Sequence, residues 1–240
     1  MKAVIIAGGL GTRLKPLTDE MPKALIDING KTLTEHVIDV LKKLDINEVY
    51  LSIGYMADKI KEYFDKNPVE GIKINYLIEE DPLGTGGWLN IVDKTDFQET
   101  FMVVNGDNLF DLDLKKMLQF HDQNKATITI ALTAVEDPSQ YGVVELDGER
   151  ITSFVEKPNR EEAPSNLISS GYYIFEPKVF EYAEELKRQD KKKIMLETDI
   201  FPAVAKDHKL FAFEDKGRWF DTGTLERYEQ VKKEWKRPAT

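Results

Sequence analysis

The 240-residue chain contains no cysteine and only three histidines. Without cysteine the protein has no disulfide bonds and no thiolate metal site. The histidines, His36, His121 and His208, are scattered and lack the pairing or spacing of metal ligands or of an acid–base pair. We therefore expect no catalytic role for histidine.

Positive charge and long apolar runs are also scarce. The 33 Lys and Arg residues against 43 Asp and Glu residues give a net charge of −10, which argues against a nucleic-acid-binding surface. No apolar run approaches the length of a membrane span, and the apolar start is too short for a signal peptide. We therefore expect a soluble cytoplasmic protein, with neither membrane nor nucleic acid among its partners.

The most informative stretch is a glycine-rich loop that follows a short β-branched run at residues 2–6, typical of a buried strand in an α/β sheet. The loop has the pattern Gly-Gly-x-Gly-Thr-Arg-Leu-x-Pro-Leu-Thr, and Pro-Lys-Ala-Leu comes shortly afterwards. Such a loop opens at the ligand-binding edge of the sheet, and closely spaced glycines bring backbone N–H groups against a polyanion. The candidate phosphate-binding residues are Gly8, Gly9, Gly11, Thr12, Arg13 and Lys23.

Spacing separates this loop from two better-known phosphate loops. A Walker loop requires Gly-Lys-Ser/Thr where Gly11 is followed by Thr12 and Arg13, and the dinucleotide fingerprint requires a glycine where Leu14 stands. The combined pattern instead resembles the signature of the sugar-1-phosphate nucleotidylyltransferases. The resemblance covers nearly the whole chain. It implies a Rossmann-like, mostly parallel sheet with helices on both faces and a small β-rich sugar-binding annex.

Short apolar runs alternate with amphipathic helices in the first half of the chain, which independently predicts a largely parallel α/β sheet. From residue 127 the pattern changes to closely spaced strands. The predicted strands after the first span residues 48–53, 72–78, 101–105, 127–134, 142–146 and 151–155. No linker is evident, so we expect one domain, with a nucleotide-binding half at about 1–125 and a sugar-phosphate half at about 126–240.

Helix caps are predicted at two places. Thr32 or Thr34 can cap the helix that contains Leu33, and Asp111 and Asp113 can cap the helix that begins at residue 114. A third predicted helix ends near residues 201–202.

A second glycine-rich loop, Glu-Glu-Asp-Pro-Leu-Gly-Thr-Gly-Gly at residues 79–87, also follows a predicted strand. The resemblance implies that it contacts the nucleotide base, through Glu80, Gly84, Thr85 and Gly86. The loop is most similar to that of mannose-1-phosphate and manno-heptose-1-phosphate guanylyltransferases. GTP is therefore the favoured donor and mannose 1-phosphate the favoured acceptor. The alternative is thymidylyl or uridylyl transfer to glucose 1-phosphate or a related sugar phosphate.

Two aspartates are candidate ligands for Mg²⁺, which prefers oxygen ligands and few from the protein. Asp107 follows the strand at 101–105 and Gly106, and the resemblance places it in the Gly-Asp metal motif of the family. Asp221 resembles the second metal aspartate of the family. Thr222 or Thr224 can supply the cap of the closing helix, which leaves Asp221 free for the metal.

The resemblance assigns the acceptor site to the second half of the chain. Lys157 would contact the sugar phosphate and Glu156 the sugar hydroxyls. Ser169 stands where many relatives have asparagine, and its shorter side chain leaves the identity of the sugar open. The remaining candidates are Gly142, Gly171 and Glu197.

The implied reaction joins an NTP and a sugar 1-phosphate to give an NDP-sugar and pyrophosphate. Its catalytic residues would be Arg13, Lys23, Asp107, Lys157 and Asp221. The chain lacks the hexapeptide repeats that larger relatives carry, so we expect a catalytic domain standing alone. A non-catalytic sensor of nucleotide sugars is the alternative from another class, and assembly into a homo-oligomer stays open.

Overall fold

The structure is a computed structural model that describes residues 1–235. Its strands are β1 (Lys2–Ile6), β2 (Asp27–Ile28), β3 (Lys31–Thr32), β4 (Glu48–Ile53), β5 (Lys73–Ile78), β6 (Phe101–Asn105), β7 (Asn108–Phe110), β8 (Ile128–Ala134), β9 (Gly142–Asp147), β10 (Arg150–Glu156), β11 (Leu167–Phe175), β12 (Leu210–Glu214) and β13 (Trp219–Asp221). Its α-helices are α1 (Leu33–Leu41), α2 (Ala57–Lys66), α3 (Leu114–Asn124), α4 (Val179–Arg188), α5 (Phe201–Lys206) and α6 (Leu225–Glu234). A π-helical turn covers Leu196–Ile200, and 3₁₀ turns cover Thr12–Leu14, Lys23–Leu25, Lys42–Leu44, Gly87–Asn90, Lys94–Asp96 and Arg160–Glu162.

Nine strands form one sheet in the order β5, β4, β1, β6, β11, β8, β12, β10, β9. The four strands from β5 to β6 run parallel, whereas β11 lies antiparallel to both β6 and β8. Strands β8 and β12 are parallel, and β9 and β10 form an antiparallel hairpin at the far edge. The expected α/β class is confirmed, and the strands predicted for the annex extend the same sheet.

Strand β1 lies between two hydrophobic cores. Ala3 and Ile5 pack into one core and Val4 into the other, and none of the three is exposed to solvent. Successive side chains of a strand point to opposite faces, so an uninterrupted apolar strand buries both of its faces. Because β1, β4 and β6 are parallel, the loops that follow them meet at one edge of the sheet.

The capping predictions were right for two residues. Thr32 caps α1 in a reciprocal arrangement with Glu35, whereas Thr34 donates to the carbonyl of Ala24. Asp113 caps α3 by accepting the amide of Lys116. The prediction for Asp111 was wrong.

The Asp111 carboxylate is occupied elsewhere, because it accepts hydrogen bonds from Lys43 and Arg218. We expected a helix to end near residues 201–202, but the α-helix α5 begins there. The π-helical turn runs directly into α5, and Pro202 is tolerated because it lies in the first turn of that helix.

A short ladder between β7 and β13 joins the middle of the chain to its last part. The register pairs Asp221 with Asn108 and Phe220 with Leu109, in an antiparallel arrangement. Residue 221 is thereby brought beside the end of β6. The helices within residues 1–235 are all too short or too polar to span a bilayer.

Candidate active site

A cavity of about 570 Å³ opens at the carboxyl edge of the sheet. Its walls come from the loops after β1, β5 and β6, in agreement with the expected position of the ligand site. The first loop contributes Gly8 and Gly9, and the end of β6 contributes Asn105. Size and concavity suit a small-molecule site.

The first glycine-rich loop is folded around Gly11. This residue has a positive φ of 63°, and its carbonyl accepts a hydrogen bond from the hydroxyl of Thr18. A Cβ atom at Gly11 would lie 2.8 Å from Cγ2 of Thr18, so the turn requires glycine. Leu14 anchors the turn in the core, and Thr12 and Arg13 are left exposed. Gly11 and Thr12 do not line the cavity; they shape the loop beside it.

Lys23 and Asp107 form an ion pair in which Nζ donates to Oδ2 over 2.8 Å. The Lys23 side chain is only 12% exposed, while that of Asp107 is 40% exposed. Desolvation acts to raise the pKa of Asp107, but the charges of Lys23 and Arg13 outweigh it and hold the pKa below its ordinary value. The carboxylate is therefore ionised at neutral pH.

Asp221 lies next to Asp107 through Thr222, whose amide and hydroxyl both donate to the Asp107 carbonyl. Oδ1 of Asp221 accepts the amide of Gly223, and Oδ2 accepts Nη1 of Arg227 over 2.5 Å. Thr224 caps α6, so Asp221 is not the helix cap, as the spacing predicted.

Arg227 and Tyr141 complete the surroundings of Asp221, and the sequence pattern had given no role to either. The Tyr141 hydroxyl donates to Oδ2 of Asp221, and the Arg227 guanidinium lies 5.3 Å from the centre of the Tyr141 ring. Desolvation and the Asp221 charge raise the pKa of Tyr141 to about 12, so it stays a hydrogen-bond donor. An arginine one turn after a predicted cap was the available sequence signal for Arg227.

The donor set fits Mg²⁺. Asp107 and Asp221 supply hard oxygen ligands from two adjoining strand ends, and Mg²⁺ is usually bound by one or two carboxylates together with substrate phosphates. Within residues 1–235, no cluster of three or more histidines or acidic residues is arranged to enclose a metal. The two aspartates therefore suit a cation that is shared with a phosphorylated substrate.

The second glycine-rich loop lines the cavity with Glu80, Gly84 and Thr85, whereas Gly86 does not line it. Glu79, the first residue of the loop, holds it in place, because its two carboxylate oxygens accept hydrogen bonds from the hydroxyl of Ser52 and the amide of Leu83.

The glycines of this loop are required by contacts within the protein. A Cβ atom at Gly86 would lie 2.7 Å from Cγ2 of Ile194, and one at Gly87 would lie 2.2 Å from Cβ of Leu83. Close approach to a ligand is therefore not needed to account for them.

Three candidate acceptor residues meet at the β9–β10 hairpin. Gly142 pairs with Glu156 in the ladder, and Glu156 forms an ion pair with Lys157 at 2.8 Å. A Cβ atom at Gly142 would lie 2.2 Å from the ring of Phe154, so glycine is required there. The Lys157 side chain is 61% exposed.

The other candidate acceptor residues surround Tyr173, which sequence reasoning missed. Its hydroxyl lies 3.1 Å from Oγ of Ser169 and 3.5 Å from Nδ2 of Asn105. Burial, followed by the charges of Glu197 and Glu156, raises the pKa of Tyr173. Asn105 from the first half of the chain and Ser169 from the second thus meet at this hydroxyl.

Asn105 was also missed. Its Oδ1 atom is buried and has no hydrogen-bond partner within the described residues, and the residue lines the cavity. A buried acceptor without a partner carries a cost that a ligand donor would remove. The available signal was a polar residue ending an apolar strand at the ligand edge. Nearby Gly171, at a φ of 83°, leaves room for the side chains of Asn105 and Asn108.

A mixed sheet covered by helices, with a cavity lined by basic and acidic residues at the carboxyl edge of its parallel strands, is the arrangement typical of nucleotide-binding α/β proteins. The chain belongs to the nucleotidyl transferase family, whose family model matches residues 2–237.

Comparison with individual proteins agrees with the family. The chain is 40% identical over 228 residues to the mannose-1-phosphate guanylyltransferase catalytic subunit beta of Xenopus tropicalis, a match that covers 93% of this chain and 61% of the relative. The chain thus spans less than two thirds of the length of such relatives.

Two solved structures cover the fold almost completely. The Bacillus anthracis protein assigned as a glucose-1-phosphate thymidylyltransferase superposes with a TM-score of 0.90 at 25% identity, over 100% of this chain and 97% of that one. HddC from Yersinia pseudotuberculosis, in complex with GMP-PN, superposes with a TM-score of 0.79 at 31% identity, over 98% and 99% of the two chains.

Proposed function

We propose that the protein transfers a nucleotidyl group from an NTP to a sugar 1-phosphate and releases pyrophosphate. The observation that carries this proposal is the grouping of two basic and two acidic residues. Lys23 and Asp107 line the nucleotide-sized cavity, and Arg13 and Asp221 lie beside them. Two substrates that are both polyanions need cationic side chains and carboxylates that can share a metal. The names of the relatives support the same reaction.

The first half of the chain, about residues 1–125, would bind the donor. The backbone at Gly8 and Gly9 faces the cavity and suits the phosphates, and Lys23 adds a point charge. Arg13 is exposed, and the charge of its guanidinium acts on the Asp107 carboxylate, so it suits the leaving pyrophosphate.

The second half, about residues 126–240, would bind the acceptor. Lys157 is exposed at the hairpin and would hold the attacking phosphate, while Glu156 and Glu197 would accept hydrogen bonds from sugar hydroxyls. Ser169, paired with Tyr173, offers one further donor or acceptor. Asn105, between the two halves, offers a buried acceptor for a substrate hydroxyl.

Asp107 and Asp221 are the residues that would hold Mg²⁺. When bound, the ion would supply positive charge to the phosphates of both substrates and align them. The carboxylates are themselves fixed by the protein, Asp107 by Lys23 and Asp221 by Arg227 and the amide of Gly223.

The chemistry does not require a protein base, because the attacking phosphate oxygen is ionised at neutral pH. A bond forms between this oxygen and the α-phosphorus, the bond from the α-phosphorus to the bridging oxygen breaks, and pyrophosphate leaves with that electron pair. The side chains contribute position and charge, which stabilise the developing negative charge of the transition state.

GTP and mannose 1-phosphate are the proposed substrates. The mannose-1-phosphate guanylyltransferase relative and the GMP-PN complex of HddC support guanine, while the thymidylyltransferase neighbour keeps a pyrimidine donor as the alternative. Guanine offers N–H donors at N1 and N2, and Glu80, which lines the cavity, would accept from them.

The test is a matrix of ATP, GTP, CTP, UTP and dTTP against a panel of sugar 1-phosphates, with pyrophosphate release as the readout. We expect turnover in the presence of Mg²⁺, highest with GTP and mannose 1-phosphate. Absence of turnover in every combination, with nucleotide sugars still bound in calorimetry, would overturn the assignment as an enzyme and support a non-catalytic sensor of nucleotide sugars. Preference for UTP or dTTP would overturn only the choice of base.

A further inference from the structure

The second glycine-rich loop is bound along its length to the segment before α5. The amide of Gly86 donates to the carbonyl of Ile194, and the amide of Ile194 donates to the carbonyl of Leu83. The contact is tight, because a Cβ atom at Gly84 would lie only 2.4 Å from the Ile194 oxygen. Loop and segment therefore form one unit, although about 110 positions separate them.

Thr85 forms the centre of this unit. Its hydroxyl donates to Oε2 of Glu197 over 2.5 Å and accepts the amide of Leu196 over 2.9 Å. A threonine hydroxyl has a single proton, and here that proton is used on the carboxylate. The hydroxyl is thus not available to donate to a nucleotide, even though Thr85 lies on the loop that lines the cavity.

Glu197 is held in a geometry that is unusual for a helix. It lies in the π-helical turn. Asp199 stabilises this turn, because its carboxylate accepts the amide of Met195 and forms an ion pair with Lys191. Such turns occur frequently at functional sites. Burial raises the pKa of Glu197, and its charge acts on Tyr173 in the acceptor region.

We propose that Thr85 is a positioning residue for the sugar acceptor: it lies on the nucleotide loop, but its hydroxyl fixes the carboxylate of Glu197. The inference rests on the proposed function, which places Glu197 at the sugar hydroxyls. Without the hydroxyl, a buried carboxylate and the amide of Leu196 would each lose a hydrogen-bond partner. Removing it should therefore weaken sugar binding more than NTP binding.

The experiment compares Thr85→Val, which keeps the shape, with Thr85→Ser, which keeps the hydroxyl. Thr152→Val is the matched control, because the Thr152 hydroxyl also donates a hydrogen bond but lies exposed on the β9–β10 hairpin. With GTP and mannose 1-phosphate, Thr85→Val should raise the KM for the sugar phosphate about 10-fold or more and change the KM for GTP less than about 2-fold. Thr85→Ser should restore most of the loss, and Thr152→Val should match the unmodified protein.

A double-mutant cycle separates positioning from general destabilisation. If Thr85 acts through Glu197, the variant Thr85→Val/Glu197→Gln should have the sugar-phosphate KM of Glu197→Gln alone. Additive effects would overturn the proposal. A larger rise in the GTP KM would also overturn it, since Thr85 would then be a nucleotide ligand, as would a Thr85→Val variant with both KM values unchanged.

Amide hydrogen exchange tests the contact without turnover. Thr85→Val should accelerate exchange at Leu196, whose amide donates to the hydroxyl, while Thr152→Val should not. Unchanged protection at Leu196 would overturn the inference. Failure of the unmodified protein to turn over any substrate pair would instead overturn the proposed function, so the two failures are distinguishable.

Discussion

Replacement of Asp107 by asparagine separates the catalytic from the structural contribution of its carboxylate. The Coulomb attraction to Lys23 across 2.8 Å is roughly 6 kcal/mol at an effective dielectric constant of about 20. Most of that attraction is offset by desolvation of the lysine and by screening, because the Asp107 side chain is 40% exposed. We expect the net loss of folding free energy to be about 1 kcal/mol, which lowers Tm by about 2–4 °C.

The expected loss of activity is much larger. If the two carboxylates hold the metal as proposed, removing one of them should lower kcat on the order of a thousandfold, or about 4 kcal/mol of transition-state stabilisation. Pyrophosphate release measures kcat, and thermal unfolding measures stability. Asp111→Asn is the matched control, because Asp111 also pairs with a lysine but lies away from the cavity.

Activity of folded Asp107→Asn within tenfold of the unmodified protein would refute the role of the carboxylate. Full turnover of the unmodified protein in EDTA would refute the magnesium assignment itself. A large fall in Tm would refute the argument that the ion pair contributes little to folding.

Three further predictions follow from the site and the core. Lys157→Ala should raise the KM for the sugar phosphate far more than the KM for the NTP, and Arg13→Ala should do the reverse. If steady-state titrations show that both variants affect the same substrate equally, the assignment of the donor site to the first half of the chain and the acceptor site to the second is contradicted. GTP should exceed UTP and dTTP in kcat/KM by about a hundredfold, and Glu80→Gln should narrow that gap; an unchanged ratio would exclude the Glu80 side chain as the acceptor. Burial lowers the pKa of His36 and of His121. Below about pH 6.5 the unfolded chain therefore binds more protons than the folded chain. The free energy of unfolding should fall as the pH is lowered, by up to about 1.4 kcal/mol per pH unit for each histidine. Urea unfolding between pH 7.5 and 5.5 measures this slope, and constant stability over that range would contradict it.

The sequence predicts best where one residue type decides the local structure. The apolar strands at 48–53 and 101–105 have the bounds that were predicted, because β-branched and aromatic residues buried on both faces leave few alternatives. Thr32 and Asp113 cap helices because a short oxygen-bearing side chain next to a helical pattern satisfies the first amides.

Contacts between distant residues lie beyond such reasoning. The interaction of Thr85 with Glu197 spans 112 positions, and no local pattern marks the two as partners. Asp111 was assigned to a cap because the sequence does not show that Lys43 and Arg218 reach it first. The family resemblance identified the individual candidate site residues. The hydrogen bonds that orient them could be read only from the folded structure.

The ladder between β7 and β13 has a consequence for how activity arises during synthesis. Thr222 and Asp107 are 115 positions apart, so Asp221 reaches the site only after most of the chain has been made. Both glycine-rich loops leave the ribosome much earlier. If Asp221 acts as proposed, a nascent chain would therefore remain inert until β13 pairs with β7. On this proposal, catalytic competence is a late event that reports the completed pairing of early and late parts of the polypeptide.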